Sequence, residues 1–317
     1  MKLNYIENLS AGDQLENEVF FLRTFEEKIG SDGESIYIAR FEDKTGVIYG
    51  TMLQLNYNEA LNKLVGTPVY VSGLILWRNS SLQLSISRMQ QCNEIDISEL
   101  CNGLTDSEID EKVEHIKEVI KKFNEGTPAR NLLDKVFTIE MFSMMAERPA
   151  TLMQGSRYRG GLLSAADCAL RLVMSTAQDY WDSRNRFYTT NTSGALAVCG
   201  VLLYYAAKTR MYTAYPFKRT EESILGGTQA IVGSLLTEVE STLEDSLPED
   251  FKKKILHIVI SADDLKIKPV CKEAVFVKAA IALFNECDQL DNEKFELQSE
   301  GKSGVVYSKR TGRYLYV

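Results

Sequence analysis

Two hydrophobic rhythms divide this chain. Before Cys92, apolar residues come in short runs with partial alternation, the period of a half-buried strand. Leu15 to Phe25 is the first strand candidate, centred on Val19, Phe20, Phe21 and Leu22. Ser35 to Phe41 and Thr45 to Leu53 follow, around the tight-turn composition Asp43-Lys44-Thr45-Gly46. Asn58 to Leu64 has the pattern of a short helix. Pro68 to Trp77 and Leu82 to Met89 complete the set. After Thr105 the rhythm changes to helical spacing.

Thr105-Asp106-Ser107-Glu108 is a capping box, and Ile109, Val113, Ile116, Ile120 and Phe123 form the apolar stripe of the helix it announces. His115 falls off that stripe and is expected at the surface. Further helices are expected over Ala129 to Met145, Leu162 to Tyr180, Ser193 to Tyr204, Glu221 to Leu243, Pro248 to Ser261 and Lys272 to Cys287. The stretch Leu196 to Tyr205 is apolar nearly all round, as a central buried helix would be. Gly304 to Tyr307 and Arg313 to Val317 flank Thr311-Gly312 as a hairpin. The reading is a multidomain α and β chain. Residues 1–95 form a five-stranded OB-fold β-barrel, since five strands with a short helix between the third and fourth is the OB order. Residues 96–128 are a connector and helix, and 129–317 an all-α domain ending in a short β-hairpin.

Composition narrows the class. An apolar fraction of 44% and a charged fraction of 25% suit a globular chain with a real core. No apolar run is long enough to cross a membrane, and the start lacks a basic, apolar leader, so no membrane role is expected. Six cysteines without a C-x-x-C pair point to reduced thiols and a cytoplasmic setting. The net charge of -8 argues against a strong nonspecific nucleic-acid binder. Between Thr151 and Thr220, however, nine Lys and Arg stand against three Asp. That local excess is compatible with a phosphate-bearing ligand.

Three local patterns carry more information: Tyr158-Arg159-Gly160-Gly161-Leu162-Leu163, Gly200 through Lys208, and His257 through Asp263. Their order and separation resemble the YhaM-type 3′-to-5′ exoribonucleases, in which an OB-fold precedes an HD domain that holds divalent metal. The resemblance implies metal-ligand positions at Ala165, at the Tyr204-Tyr205 step, at Gly227, at Ala262 and at Asn285. It also places a family His pair at Gly155 and Ser156. None of these residues keeps the family's His or Asp, and the whole chain has only two histidines, His115 and His257. Such a site uses imidazole and carboxylate ligands to polarise phosphate and activate water. The implied reading is therefore a degenerate HD-like domain, a pseudoenzyme with no catalytic residues, no metal and no cofactor.

Arg157, Arg159, Lys208 and His257 are the groups left around that emptied pocket, and a guanidinium can hold phosphate without metal. Each also has a structural reading. Arg159 precedes a turn, Lys208 ends a helix, and His257 is expected to be packed and satisfied by a backbone carbonyl or a carboxylate. Asp263-Asp264 could serve as a residual carboxylate pair for acid/base work, but is expected to cap a helix end or begin a turn. On the barrel, Phe21, Arg23, Tyr37, Arg40, Tyr49, Trp77 and Arg78 have the chemistry to stack bases and follow phosphates, but core or protein-contact roles are expected for most of them, and Trp77-Arg78, at a strand end, are the best ligand candidates. The expected ligands are single-stranded RNA or DNA, or a nucleotide. The alternative is a protein partner bound on the OB surface, and the resembled family also suggests a homo-oligomer.

Overall fold

The computed structural model describes residues 4–29, 33–78, 81–95, 99–153, 156–181, 193–243, 245–263, 266–299, 301–309 and 311–317, with backbone only for 177–181, 193, 263 and 299. Two compact units result, residues 1–102 with 293–317, and residues 103–292.

The first unit contains a closed barrel. β1 (Gln14–Ile29), β2 (Ser35–Asp43), β3 (Gly46–Leu53), β4 (Pro68–Arg78) and β5 (Ser81–Gln91) close in the order β1-β2-β3-β5-β4. β3 and β5 run parallel and every other pair is antiparallel, an OB-like arrangement. A 3-10 helix over Glu59–Leu64, capped by the Asn58 side chain, sits between β3 and β4. β1 is longer than its apolar centre because it pairs with β2 along one half and with β4 along the other. Register shifts at Leu15/Glu18 and Leu22/Thr24 bend it between the two. Phe20, Phe41, Val69, Val71, Ile75 and Leu84 fill the interior. β6 (Val305–Ser308) and β7 (Arg313–Tyr316) form the expected hairpin.

The second unit is helical. α1 (Asp106–Lys121) begins at the capping box, with both reciprocal bonds between Thr105 and Glu108 formed. The single helix expected over 129–145 is two: α2 (Pro128–Val136) and α3 (Ile139–Glu147). Thr138 starts α3 by accepting a hydrogen bond from the Met141 amide, which outweighs the continuous apolar pattern. α4 (Gly161–Trp181), α5 (Ser193–Lys208), α6 (Glu221–Glu240), α7 (Glu249–Asp263) and α8 (Lys272–Ser299) follow. α5 is buried along its whole described length and is the core of the unit. Gly200 lets α7 approach it, since a Cβ there would lie 2.4 Å from Ile258. No described helix is long and apolar enough to cross a membrane.

Candidate functional site

The loop between α3 and α4 is pinned at both ends. The Leu162 amide donates to the Arg148 carbonyl at 3.0 Å, and the Ala150 amide donates to the Ser156 carbonyl at 3.2 Å. These bonds hold Arg148, Pro149, Ala150 and Thr151 against the start of α4. From the end of α5, Lys208 reaches back to this loop. Its ammonium donates to the Ala150 carbonyl at 3.3 Å and lies 5.0 Å from the Tyr204 ring centroid and 5.8 Å from that of Tyr205. Lys208 is only 5% exposed. A desolvated ammonium needs such compensation, and two ring faces with a carbonyl supply part of it. The next residue of the loop serves a charge of the other sign. Thr151 donates its hydroxyl to Asp288 Oδ2 at 2.6 Å. Asp288 is buried on α8, and its Oδ1 has no hydrogen-bond partner among the described residues.

The positions implied as lost metal ligands are accounted for by packing. Ala165, Tyr204 and Tyr205 are core residues, the two rings meeting edge to face at 5.1 Å. Burial pushes the Tyr205 hydroxyl pKa up, with Cys168 adding to it, and that hydroxyl lacks a hydrogen-bond partner among the described residues. Gly227 adopts φ 63° at a kink in α6, a conformation that suits glycine. Ala262 packs against the core and Asn285 is half-buried. Methyls, phenols and a glycine offer no imidazole or carboxylate set, so the residues present do not fit a divalent metal. Among the described residues no three His, Cys, Asp or Glu side chains are grouped to hold one.

The four cationic or titratable candidates do not converge alike. Lys208 is the one whose contacts run into the Tyr204-Tyr205 step. Arg159 turns to carboxylates: Nε donates to Glu147 at 2.9 Å and Nη1 to Asp106 at 3.4 Å. Burial alone would lower its pKa, but Glu147 and Asp106 outweigh that and raise it. His257 is half-buried and accepts the Val270 amide at Nε2, 3.0 Å away, so its bond is to a backbone donor and not to the expected carbonyl or carboxylate. Arg157 is half-buried on the same loop as Arg159. Gly155, Asp264 and the Asp263 side chain lie outside the described residues.

Two residues escaped the sequence. His115 is not at the surface. It is half-buried, with Nδ1 2.5 Å from Asp167 Oδ1, and Arg171 and Lys112 also reach that buried carboxylate at 3.0 and 3.7 Å. The stripe of α1 carries no sign of a partner 52 residues away. Arg148 is the second. It is half-buried, burial lowers its guanidinium pKa, and its side chain has no hydrogen-bond or ion-pair partner among the described residues. No motif marked it.

On the barrel, Phe21 and Tyr37 are core residues and cannot stack a base from outside. Arg23 and Arg40 are held by Glu42. Trp77, 65% exposed, and Tyr49 remain open, and Arg78 is exposed beside Trp77. A shallow cleft of about 620 Å³ opens where the bulges of β1 and β4 meet, lined by Asn17, Leu53, Leu74, Ser85 and Arg88 among others.

No protein-family model matches the chain. No curated protein matches it either.

Proposed function

We propose that the helical unit is a degenerate HD-like domain, akin to that of YhaM-type exoribonucleases, and that it binds a nucleotide or another phosphate-bearing ligand without metal-dependent hydrolysis. The observation that carries the reading is Lys208. Its buried ammonium lies over Tyr204 and Tyr205, the pair that stands where the resembled motif has its His-Asp step. A fixed cation of the protein there supplies positive charge that a metal ion would otherwise bring. Arg148 strengthens the case. A half-desolvated guanidinium with no anion beside it among the described residues gains by meeting one, and it lies two residues from the carbonyl that Lys208 grips.

The test uses AMP, pyrophosphate and inorganic phosphate as probes in thermal melting of the full chain. Ligand at a hundredfold excess over its Kd adds about 2.7 kcal/mol, a rise of several degrees. The rise is expected with wild type and is lost in Arg148→Gln. Unchanged melting with all three probes sinks the reading. So does degradation of single-stranded RNA by pure protein that requires Mg²⁺ or Mn²⁺.

A further inference from the structure

The hairpin presents a face that the core does not use. Val305 pairs with Tyr316 and Tyr307 with Tyr314 across β6 and β7, and cross-strand partners share a face. Alternation therefore puts Val305, Tyr307, Tyr314 and Tyr316 on one side, and Val306, Ser308, Arg313 and Leu315 on the other. The second side is the inner one, where Ser308 and Leu315 are buried. The first faces out, at 70% exposure for Val305, 49% for Tyr307, 73% for Tyr314 and 75% for Tyr316. The Tyr307 and Tyr314 rings lie 5.2 Å apart, and Tyr316 stands two residues along the same strand face. An outward row of three rings on a four-residue ladder is not needed to hold the hairpin together.

Charge says what covers it. Residues 301–317 contain Lys302, Lys309, Arg310 and Arg313 and no acid, in a chain of net charge -8. Lys302 and Lys309 are exposed and flank β6. Ring faces beside cations match the two halves of a single-stranded nucleic acid, whose bases stack and whose phosphates follow positive charge. A second copy of this chain offers no base to stack, and in a symmetric contact its own copy of this segment would bring the same positive charge.

We propose that this hairpin face is a stacking platform for single-stranded nucleic acid. It belongs to a different unit from the phosphate site proposed above, and its variants are expected to leave AMP-induced stabilisation unchanged. The experiment is fluorescence anisotropy of the full chain with labelled oligouridylate and oligothymidylate of about twenty nucleotides, longer than the span of one binding module. Tyr314→Ala/Tyr316→Ala is expected to weaken binding at least tenfold, and Tyr314→Phe/Tyr316→Phe to hold it within about threefold, because the ring and not the hydroxyl does the stacking. Lys309→Glu is expected to weaken binding and flatten its dependence on salt between about 50 and 200 mM. Both tyrosines are largely exposed, so unchanged melting of the alanine pair checks the fold. Absent binding by wild type at low salt overturns the proposal, as does equal binding by the alanine pair. Self-association in light scattering that the alanine pair abolishes, with no oligonucleotide bound, overturns it in favour of a homotypic contact.

Discussion

In the barrel, Glu42 is buried between two arginines: Arg23 Nη2 stands 2.9 Å from one carboxylate oxygen and Arg40 Nη2 3.0 Å from the other. In the helical unit, Asp288 is buried as deeply, yet among the described residues the only hydrogen bond to its carboxylate comes from the neutral hydroxyl of Thr151. Arg148 is half-buried with no anionic partner among the described residues. The helical unit is able to neutralise charge, since Asp167 gathers His115, Lys112 and Arg171. Charge balanced inside the fold serves stability, whereas charge left unbalanced costs stability and calls for a ligand. On the proposed function, the difference separates a frame from a site.

The largest effect expected is on the barrel. Glu42→Gln leaves two partly buried guanidinium groups facing a neutral amide. A loss of about 3 kcal/mol is expected, since breaking a buried pair strands its partners. Urea unfolding followed by far-ultraviolet circular dichroism measures it. A loss below about 0.5 kcal/mol would make the Arg23–Glu42–Arg40 set a surface pair and erase the contrast.

Asp288→Asn carries the opposite sign. Asparagine still accepts the Thr151 hydroxyl and removes a buried charge that lacks a counter-ion among the described residues. A gain of about 1 kcal/mol is expected, the exchange often seen where function holds a destabilising group. Thermal melting of the full chain reads it. A loss comparable to that of Glu42→Gln would show that Asp288 is balanced after all and belongs to the frame.

What the sequence made legible follows the same division. Strands, caps and the buried α5 are local patterns, so alternation, the Thr105–Glu108 box and an all-apolar stretch foretell them. The break at Phe137-Thr138 was hidden because the apolar pattern runs through it and only the Thr138 cap marks it. Most barrel aromatics were expected in the core, and Phe21 and Tyr37 are there, but composition could not say which ones, because a bulged strand breaks the alternation; Phe20 and Phe21 are both buried next to the shift at Leu22/Thr24. At the site, motif spacing pointed to Lys208, Tyr204 and Tyr205, whereas it pointed to Asn285 one turn from the buried Asp288. Arg148 had no signal at all. Its proposed role rests on having no partner among the described residues, a property of the packed chain and not of any segment.

The smallest effect expected is at an exposed pair. Arg210 forks onto Glu238, with Nη1 2.9 Å from Oε1 and Nη2 against Oε2, and Ser234 adds a hydrogen bond. The bonds from Arg210 come first among the causes that hold the Glu238 carboxyl down at about 2, from a usual 4.5. A carboxylate whose pKa is depressed in the folded state gives stability that is complete above its unfolded value. That stability is lost as pH falls from about 4.5 through about 2. Half of the Glu238 side chain is open to water, so screening reduces the contribution to under about 1 kcal/mol. Glu238→Gln should therefore lower stability slightly at pH 7 and remove that part of the acid-limb slope. A difference between the two proteins that stays constant from pH 7 to about pH 2 would assign the pair to packing, and exposed charge would then drop out of the contrast between frame and site.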